Sequence, residues 1–377
     1  MDSVTHLAAG VITPLIFKKA PRIWVLVLFG IILGELPDLD MLAGSSAWAT
    51  LSFHRSLTHA LPVIILVSLL VAAIFKFIIG RMSFNEPTVR VEGLTAVLNR
   101  PGDWSFGQIL GAALLTIGLH VYFDAMTTFG TQLFWPVSEY RVAIPALFII
   151  DPLFTIPLVG VAGYCLAGFK KSENLDRQIR WSRRAFIYML VYPLFCLSLQ
   201  QVLTHKINRE HVNEETGMER ITVMPALLSP FLWKAVAEKG DEYALAHVSI
   251  ASAFGGGIEF NQPYLKVEPN LWNELRKILP IFSSYGRFVG FPAMSVRDAD
   301  TGGILEVTIQ DLRYTPVDGD DYMFLAGRGN GLFLMQLRIS ENGRWLHAWR
   351  YLPDGDADAE WVILEHPVSI HALTGGI

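Results

Sequence analysis

Cysteine is scarce in this chain. Among 377 residues there are two, Cys165 and Cys196, and both lie inside apolar stretches. A disulfide framework needs more cysteines at regular spacings, and a Cys-x-x-Cys metal site needs a close pair. Neither arrangement is available here, and the two thiols give no indication of the redox compartment.

Charged residues are also few. They make up 17% of the chain, whereas 52% of the residues are hydrophobic. Ordinary soluble domains carry about 25% charged residues, so we interpret this chain as a membrane protein. The net charge is −5 and no basic stripe is long enough to follow a phosphate backbone. Nucleic acid therefore has no support as a partner.

Several catalytic motifs are missing. The sequence contains no phosphate-binding glycine loop, no nucleophile elbow and no internal repeat. Nucleotide hydrolysis and serine hydrolysis therefore lack support. The first six residues also lack the basic segment that opens a cleavable signal peptide, so we expect the N-terminus to be retained.

Hydropathy divides the chain at about Thr204. We predict a membrane-embedded domain of about six helices over residues 1–203, followed by an extramembrane α+β domain, mainly β, over residues 204–377. The apolar stretches comprise residues 4–17, 23–36, 61–80, 106–125, 143–169 and 185–203. The last four approach or exceed the roughly 18 residues that cross a hydrocarbon core of about 30 Å. The first two are short, and form either a spanning hairpin or a re-entrant pair.

Basic residues predict the orientation in the membrane. Lysines and arginines are concentrated in the loops after the first, third and fifth stretches. Loops of this kind stay in the cytoplasm. If all six stretches cross the cell membrane, the N-terminus and the C-terminal domain lie on the opposite, external side.

The polar segment between the second and third stretches is the main functional candidate. Residues 34–40 read GELPDLD and residues 54–59 read HRSLTH. Carboxylates and imidazoles are costly beside a bilayer core, so they mark a functional site by default. Their combination suggests a bound divalent metal.

Two further pairs have metal-ligand spacing. His120 and Asp124 are four residues apart on a predicted helix, so they share a face and can hold one ion or bridge two. Asp2 and His6 have the same offset, although Asp2 equally fits a helix N-cap.

A proline at position 37 is expected to end the second helix and start an extended turn. Asp38 and Asp40, two residues apart in such a turn, would face the same way. Under the predicted topology all of these groups lie near one membrane face. The predicted metal ligands are His6, Asp38, Asp40, His54, His59, His120 and Asp124.

Each of these residues has a simpler interpretation when taken singly. His6 would also fit a hydrogen-bonded core histidine, and His120 with Asp124 an ordinary intrahelical hydrogen bond. Arg55 would fit a snorkelling residue at the interface. The convergence of all the candidates on one membrane face favours the metal site.

These motifs together resemble the YdjM family of bacterial and archaeal membrane proteins, regarded as metal-dependent hydrolases. The motifs are Asp2-xxx-His6, LPDLD at 36–40, HRxxTH at 54–59, His120-xxx-Asp124 with TFGTQLFWP at 128–136, and FIIDPL at 148–153. The resemblance covers residues 1–203. The C-terminal half resembles extensions of some members, to which we attach no function.

The order of these motifs is also similar, more distantly, to the zinc-dependent phospholipase C and P1-type nuclease group. Those all-helical enzymes use clustered zinc ions to cleave phosphate esters. The resemblance implies His6, Asp40, one or both of His54 and His59, His120 and Asp124 as ligands, with Asp38 an alternative to Asp40. Histidine is missing between Asp124 and His205. One or two ions are therefore expected, zinc first, with manganese or magnesium open.

The expected chemistry follows from such ions. A divalent metal lowers the pKa of a bound water from 15.7 toward about 7. Arg55 could bind a phosphate and offset developing negative charge. Asp151, or whichever of Asp38 and Glu35 is not a ligand, could orient a ligating imidazole. Arg55, Asp38 and Asp151 are thus the predicted catalytic residues.

The C-terminal half has the pattern of strands. Apolar residues alternate over 305–309 and again over 333–351, where Asn342-Gly343 predicts a hairpin turn. Apolar residues at helical spacing over 269–282 predict one amphipathic helix that covers the sheet.

We therefore predict a polytopic membrane metallohydrolase with its site at the external membrane surface, acting on a phosphoester of a lipid-linked or amphiphilic substrate. An ion-coupled transporter is one alternative, although it would need polar residues through the membrane depth. The other is a scaffold with a structural metal and a partner-binding β domain. Protein partners are not identified by the sequence.

Overall fold

A computed structural model of the chain describes residues 1–17, 23–43, 51, 53–81, 105–167, 175–226, 229–255, 257–261, 263–299, 303–317, 333–342, 344–352 and 361–370. The chain divides into two compact units. The first comprises Met1–Ala43 and Phe53–Cys196, and the second contains Leu197–Ile377. The division falls inside one long helix.

The first unit is helical. Its helices are α1 (Ser3–Leu15), α2 (Ile23–Glu35), α3 (Leu61–Arg81), α4 (Phe106–Ala125), α5 (Pro152–Ala167) and the first part of α6 (Leu175–His211). Two 3₁₀ segments, Pro37–Ala43 and Leu57–His59, lie between α2 and α3. Among the described residues, α3, α4 and α6 are long and apolar enough to cross a membrane.

Three predicted membrane segments form helices that are shorter, over the described residues, than the span that a bilayer needs. Helices α1 and α2 each have 13 residues, and α5 has 16. The apolar residues before α5 form a loop instead, since Ile144 N donates to Ala125 O (2.7 Å) and Ala146 N to Met126 O (3.1 Å). Pro152 then starts α5, a position that suits proline because the first helical N–H needs no partner. Over the described residues, three helices are thus long and apolar enough to cross a membrane, and the predicted six crossings are not confirmed.

Side chains cap the helices that carry the candidate site. Asp2 is the N-cap of α1 and accepts a hydrogen bond from Thr5 N (3.0 Å). Ser105 and Gln108 form a capping box at the start of α4. Such caps satisfy N–H groups that have no partner inside the helix. The capping interpretation of Asp2 is confirmed.

Glycines allow α1 and α2 to pack backbone against backbone. A Cβ atom on Gly30 would lie 1.9 Å from Gly10 O, and one on Gly10 would lie 2.4 Å from Gly30 O. A Cβ on Gly34 would lie 2.9 Å from His6 O. No larger residue fits at Gly10 or Gly30 without moving a helix. This close approach sets His6 beside the end of α2.

We expect Gly30→Ala to destabilise the first unit by about 1–3 kcal/mol, the usual cost of overpacking a tight contact. The matched control is Gly118→Ala in α4, where an added Cβ meets nothing within 4 Å. That change should be neutral or stabilise the helix by up to about 1 kcal/mol. Thermal unfolding in detergent compares the two variants. Equal stability of both would contradict the packing argument.

The second unit contains a nine-stranded antiparallel sheet. Its strands are β1 (Arg220–Pro225), β2 (Leu232–Lys239), β3 (Glu242–Ser249), β4 (Tyr264–Lys266), β5 (Pro292–Asp298), β6 (Ile304–Asp311), β7 (Leu334–Ser340), β8 (Trp345–Leu352) and β9 (Val362–Ser369). Neighbours in the chain are neighbours in the sheet. The predicted strand over 305–309 and the predicted β7–β8 hairpin are confirmed.

Helices accompany the sheet. They are α7 (Ile250–Gly255), α8 (Pro269–Ile278) and α9 (Pro280–Phe288). The single helix predicted over 269–282 is two helices, because Leu279 before Pro280 is extended (φ −112°, ψ 112°). Proline disfavours the α conformation in the residue that precedes it.

Helix α6 belongs to both units. Its 37 residues extend over about 55 Å at 1.5 Å per residue, which exceeds a hydrocarbon core of about 30 Å. Its last part packs on the sheet, where Leu203 and Ile207 join a buried cluster with Trp233.

Candidate metal centre

Four elements of the first unit bring the predicted ligands together. His6 lies on α1, Asp38 on the 3₁₀ segment after α2, and His59 on the 3₁₀ segment before α3. His120 and Asp124 lie in the last turns of α4, one helical turn apart. His6, His59, His120 and Asp124 are buried.

The extended turn predicted after Pro37 is wrong. Residues 37–43 form a 3₁₀ helix, with about three residues per turn, so side chains two apart face different directions. Asp38 Oδ1 lies 3.4 Å from His120 Nε2. Asp40 faces residues 54–58 instead, and its Oδ1 lies 2.9 Å from His54 Nδ1.

Asp38, His59, His120 and Asp124 form a group that could hold a metal ion. Their closest atoms are His59 Nε2, His120 Nε2, Asp38 Oδ1 and Asp124 Oδ2. Five of the separations between these atoms are 3.1, 3.2, 3.4, 3.4 and 3.6 Å. Four ligands held tetrahedrally at about 2.0–2.1 Å from zinc lie about 3.3–3.4 Å apart. These five separations are therefore close to those of a tetrahedral site, and all four atoms lie within 4.8 Å of one another.

The histidines are oriented through their other ring nitrogens. His120 Nδ1 lies 2.6 Å from Gly34 O. A carbonyl oxygen only accepts, so Nδ1 carries the proton and Nε2 presents a lone pair toward the group. His59 Nδ1 lies 3.0 Å from Thr58 Oγ1. Such outer contacts fix the tautomer and ring direction of metal-binding histidines.

Two buried polar groups have no hydrogen bond among the described residues. Neither ring nitrogen of His6 has a partner, and Asp38 Oδ1 also lacks one. His6 Nε2 lies 3.3 Å from Asp124 Oδ1, and its ring stacks on His120 at 3.7 Å. A buried polar atom without a partner is costly. A cation would satisfy Asp38 Oδ1 and whichever nitrogen of the neutral His6 ring carries the lone pair.

The charges of the group favour a cation. Burial by itself raises the pKa of the Asp38 carboxyl, but contacts with His120 and His59 outweigh burial and hold that pKa well below its usual range. Burial lowers the pKa of His59, but contacts with Asp124, Asp38 and Asp40 raise it to about 9. The carboxylates thus stay ionised and attract positive charge.

A second group consists of Asp38, Asp40 and His54. Asp40 Oδ2 also accepts hydrogen bonds from Thr58 Oγ1 (2.7 Å) and Arg55 N (3.0 Å). Asp38 belongs to both groups, so it is placed to bridge two ions. The seven predicted ligands therefore gather in one region.

Arg55 is aimed into this region. Its Nη2 lies 3.1 Å from Asp124 Oδ1, and its Nη1 donates to Thr127 Oγ1 (3.3 Å). The Met1 amino group contacts the same oxygen of Asp124. Arg55 Nε is buried without a hydrogen-bond partner. Arg55 also has a φ of 58°, a conformation that a non-glycine residue keeps only when its surroundings impose it.

The loop after α4 imposes that conformation. Gln132 N (2.9 Å) and Thr131 Oγ1 (3.3 Å) donate to Arg55 O. The Phe129 ring lies 4.9 Å from the Arg55 guanidinium and 5.0 Å from that of Arg141. Arg141 Nη2 donates to His54 O (3.0 Å).

Sequence reasoning gave no role to three of these supporting residues. Gln132 lies inside a motif that carries the family resemblance, and Gly34 lies in the polar segment at 34–40, but nothing in the pattern assigned them a partner. No sequence pattern pointed to Arg141 as part of the site.

Asp151 occupies a different position. Its carboxylate caps α5, accepting from Leu153 N (3.0 Å) and Phe154 N (3.1 Å), and Tyr192 OH donates to it (3.0 Å). Burial raises the pKa of Asp151 to about 6. These contacts are those of a helix cap, and its predicted orienting role remains a prediction.

The N-terminal part of the chain is similar to a known protein family. Residues 1–207 match the family model described as YdjM inner membrane protein. The match covers more than half of the chain. The chain belongs to the YdjM family. The resemblance inferred from the motifs is thus confirmed, and the protein is a membrane protein with a candidate metal site.

The uncharacterized protein YfhP of Bacillus subtilis (strain 168) is similar to this YdjM-family chain. The two are 22% identical over 236 residues, which are 60% of this chain and 62% of YfhP. The chain thus spans less than two thirds of the length of this relative. No solved structure matches the chain.

We expect Asp151→Asn to keep the cap, since asparagine is an equally good N-cap. The raised pKa of Asp151 means that folding stability is lost as the pH rises from about 4 through about 6. The variant should therefore melt higher than the wild type at pH 7.5, and this advantage should shrink at pH 5. Thermal unfolding at both values measures it. A variant that loses bound metal would instead support the orienting role.

Proposed function

We propose that this YdjM-family protein is a metal-dependent hydrolase that acts on a phosphoester of a lipid-linked or amphiphilic substrate. The observation that supports it is the convergence of Asp38, His59, His120 and Asp124 at tetrahedral spacing. Beside them lies His6, whose two ring nitrogens have no hydrogen bond.

The ligand set favours zinc. Two imidazoles with two carboxylates at tetrahedral spacing suit zinc, whereas magnesium prefers oxygen ligands in an octahedral arrangement. Manganese is the next choice. A second ion would be held by Asp38, Asp40 and His54. If Asp38 binds the second ion, the other three residues leave one position of the first ion open for water. A divalent ion held in this way would activate that water at neutral pH and polarise a phosphoryl oxygen.

Arg55 is proposed to bind the phosphoryl group. Its guanidinium contacts Asp124, a member of the candidate ligand group. Its Nε donor has no hydrogen-bond partner among the described residues. Charge-assisted hydrogen bonds from arginine are strong and suit an anion that gains charge during the reaction.

Glu35 is proposed as the proton acceptor. It ends α2 next to the group, and its charge interacts with those of His120 and Asp38. Among the described residues, its buried Oε1 has no hydrogen-bond partner. Glu35 belongs to neither candidate ligand group. A carboxylate oxygen that is left open in this way is suited to take a proton from the attacking water.

The position of the group at helix ends supports a substrate from the bilayer. His6 lies in the first turns of α1, His59 directly before α3, and Asp124 in the last turn of α4. A lipid headgroup lies at that depth. We propose that the helices cross the membrane several times and that this end faces the periplasm, as does the C-terminal domain, because basic loops remain cytoplasmic.

A structural metal is the second candidate function. Four protein ligands close a tetrahedral zinc site, which is typical of structural rather than catalytic zinc. The protein would then be a scaffold whose sheet domain binds a partner. An ion-coupled transporter stays an alternative without a specific observation in its favour.

Metal binding is the first test. We expect the purified full-length protein to contain one or two divalent ions per chain. His59→Ala and Asp124→Ala should each lose at least one, because each removes a ligand from the group. Inductively coupled plasma mass spectrometry measures the content. The matched control is His205→Ala on the exposed face of α6, which should keep all bound metal. Wild-type content in all three variants would refute the metal site.

Hydrolysis is the second test. A panel of phospholipids, lipid phosphates and water-soluble phosphoesters is incubated with the protein, with and without a chelator. We expect release of phosphate or of a headgroup that the chelator abolishes. Glu35→Gln should retain the bound metal and lose activity by about 10²-fold or more, as for other general bases. Bound metal without any hydrolysis would favour the structural role.

A further inference from the structure

One end of the sheet in the second unit exposes large apolar side chains. Phe231 and Phe254 are each 58% exposed, and Ile250 is 37% exposed. We call these three residues the apolar end. Leu232 pairs with Ser249, so Phe231 directly precedes this pair and Ile250 directly follows it. Phe231 and Ile250 therefore lie at the same end of the sheet, at the start of β2 and the end of β3. Phe254 lies on α7, the helix that follows β3 directly.

Helix α6 shows which way this end points. Asn208 Oδ1 accepts from Ile221 N (2.9 Å), and Gln200 Nε2 donates to Val223 O (2.7 Å). Ile221 thus lies beside Asn208, and Val223, further along β1, lies beside Gln200, which is nearer the start of α6. Strand β1 therefore runs antiparallel to α6, toward the apolar residues of that helix. Pro225 at the end of β1 pairs with Trp233, two residues after Phe231 in the chain. The apolar end therefore lies toward the apolar residues 197–203 of α6, which belong to the second unit.

The depth of the apolar end follows from α6 as well. The apolar stretch of this helix extends to Leu203, and Val202 beside it is exposed. Lys206 lies one turn further on the same face, and its Nζ lies 5.2 Å from the Phe254 ring. The Lys206 ammonium also pairs with Glu210. Lysines at this level keep their stems in apolar surroundings and their charge in the headgroups.

We infer that the apolar end inserts into the interfacial layer of the bilayer. Aromatic residues are enriched at that depth, and exposed apolar side chains beside a basic residue bind the boundary between headgroups and acyl chains. Lipid is the occupant because the exposed surface continues from Val202 on the membrane-crossing helix. This inference depends on α6 crossing the membrane and is independent of hydrolysis. It assigns the sheet domain a second membrane attachment besides α6.

Site-specific fluorescence tests the inference. Cys165 and Cys196, which are buried, are replaced by alanine in the full-length chain. Phe231→Cys, Ile250→Cys or Phe254→Cys is added and labelled with an environment-sensitive NBD dye. The protein is reconstituted in vesicles of phosphatidylcholine and phosphatidylglycerol, with and without lipid that carries a doxyl quencher near the headgroup. Lys239→Cys, exposed at the opposite end of β2, is the matched control.

We expect dye at the three apolar positions to show blue-shifted emission and strong quenching by the doxyl lipid. Dye at Lys239 should show the emission of water and little quenching. Water-like emission at all positions would overturn the inference. A blue shift without quenching would also overturn it, because it would show burial against protein, such as a second copy of the chain. Three separate probes keep the test decisive if one variant does not fold.

Discussion

The buried carboxylate of Asp124 is the constraint on which the first unit depends. Its side chain is 0% exposed, and a charge placed there is very costly unless cations or donors surround it. One oxygen meets Arg55 and the Met1 amino group, and the other faces His59 and His120. The N-terminus, the loop that carries Arg55 and the 3₁₀ segment that carries His59 must therefore pack against α4 to offset the cost of burying this charge. The candidate metal centre and the helical packing are one arrangement.

Backbone contacts hold the parts of this arrangement in register. The glycine contact between α1 and α2 sets His6 next to Gly34, whose carbonyl orients His120. The loop after α4 holds the Arg55 backbone in an unusual conformation. Strain of this kind at a cluster of polar groups is typical of functional sites, where the surroundings impose it. The cluster thus depends on residues that carry no chemistry of their own.

Local periodicity explains which predictions succeeded. His120 and Asp124 share a helix face by spacing alone, and the β7–β8 hairpin follows from alternation and its turn residues. The turn after Pro37 failed because extended and 3₁₀ backbones satisfy the same local rules, and the contacts of Asp38 with His59 and His120 decide between them. The apolar run before Asp151 failed as a helix because its backbone pairs with the end of α4. Hydropathy reports how readily residues enter an apolar environment, and it does not distinguish a lipid environment from a protein interior.

The sequence by itself determined the membrane character, the division into a helical and a sheet unit, the family and the set of polar residues that gather at the candidate metal centre. These depend on composition and on spacing along the chain. The tertiary structure decided which atoms meet: that Asp38 joins His59 and His120 while Asp40 joins His54. Those outcomes depend on contacts between separate helices and segments of the chain. No local pattern encodes them, because they arise only when the helices pack.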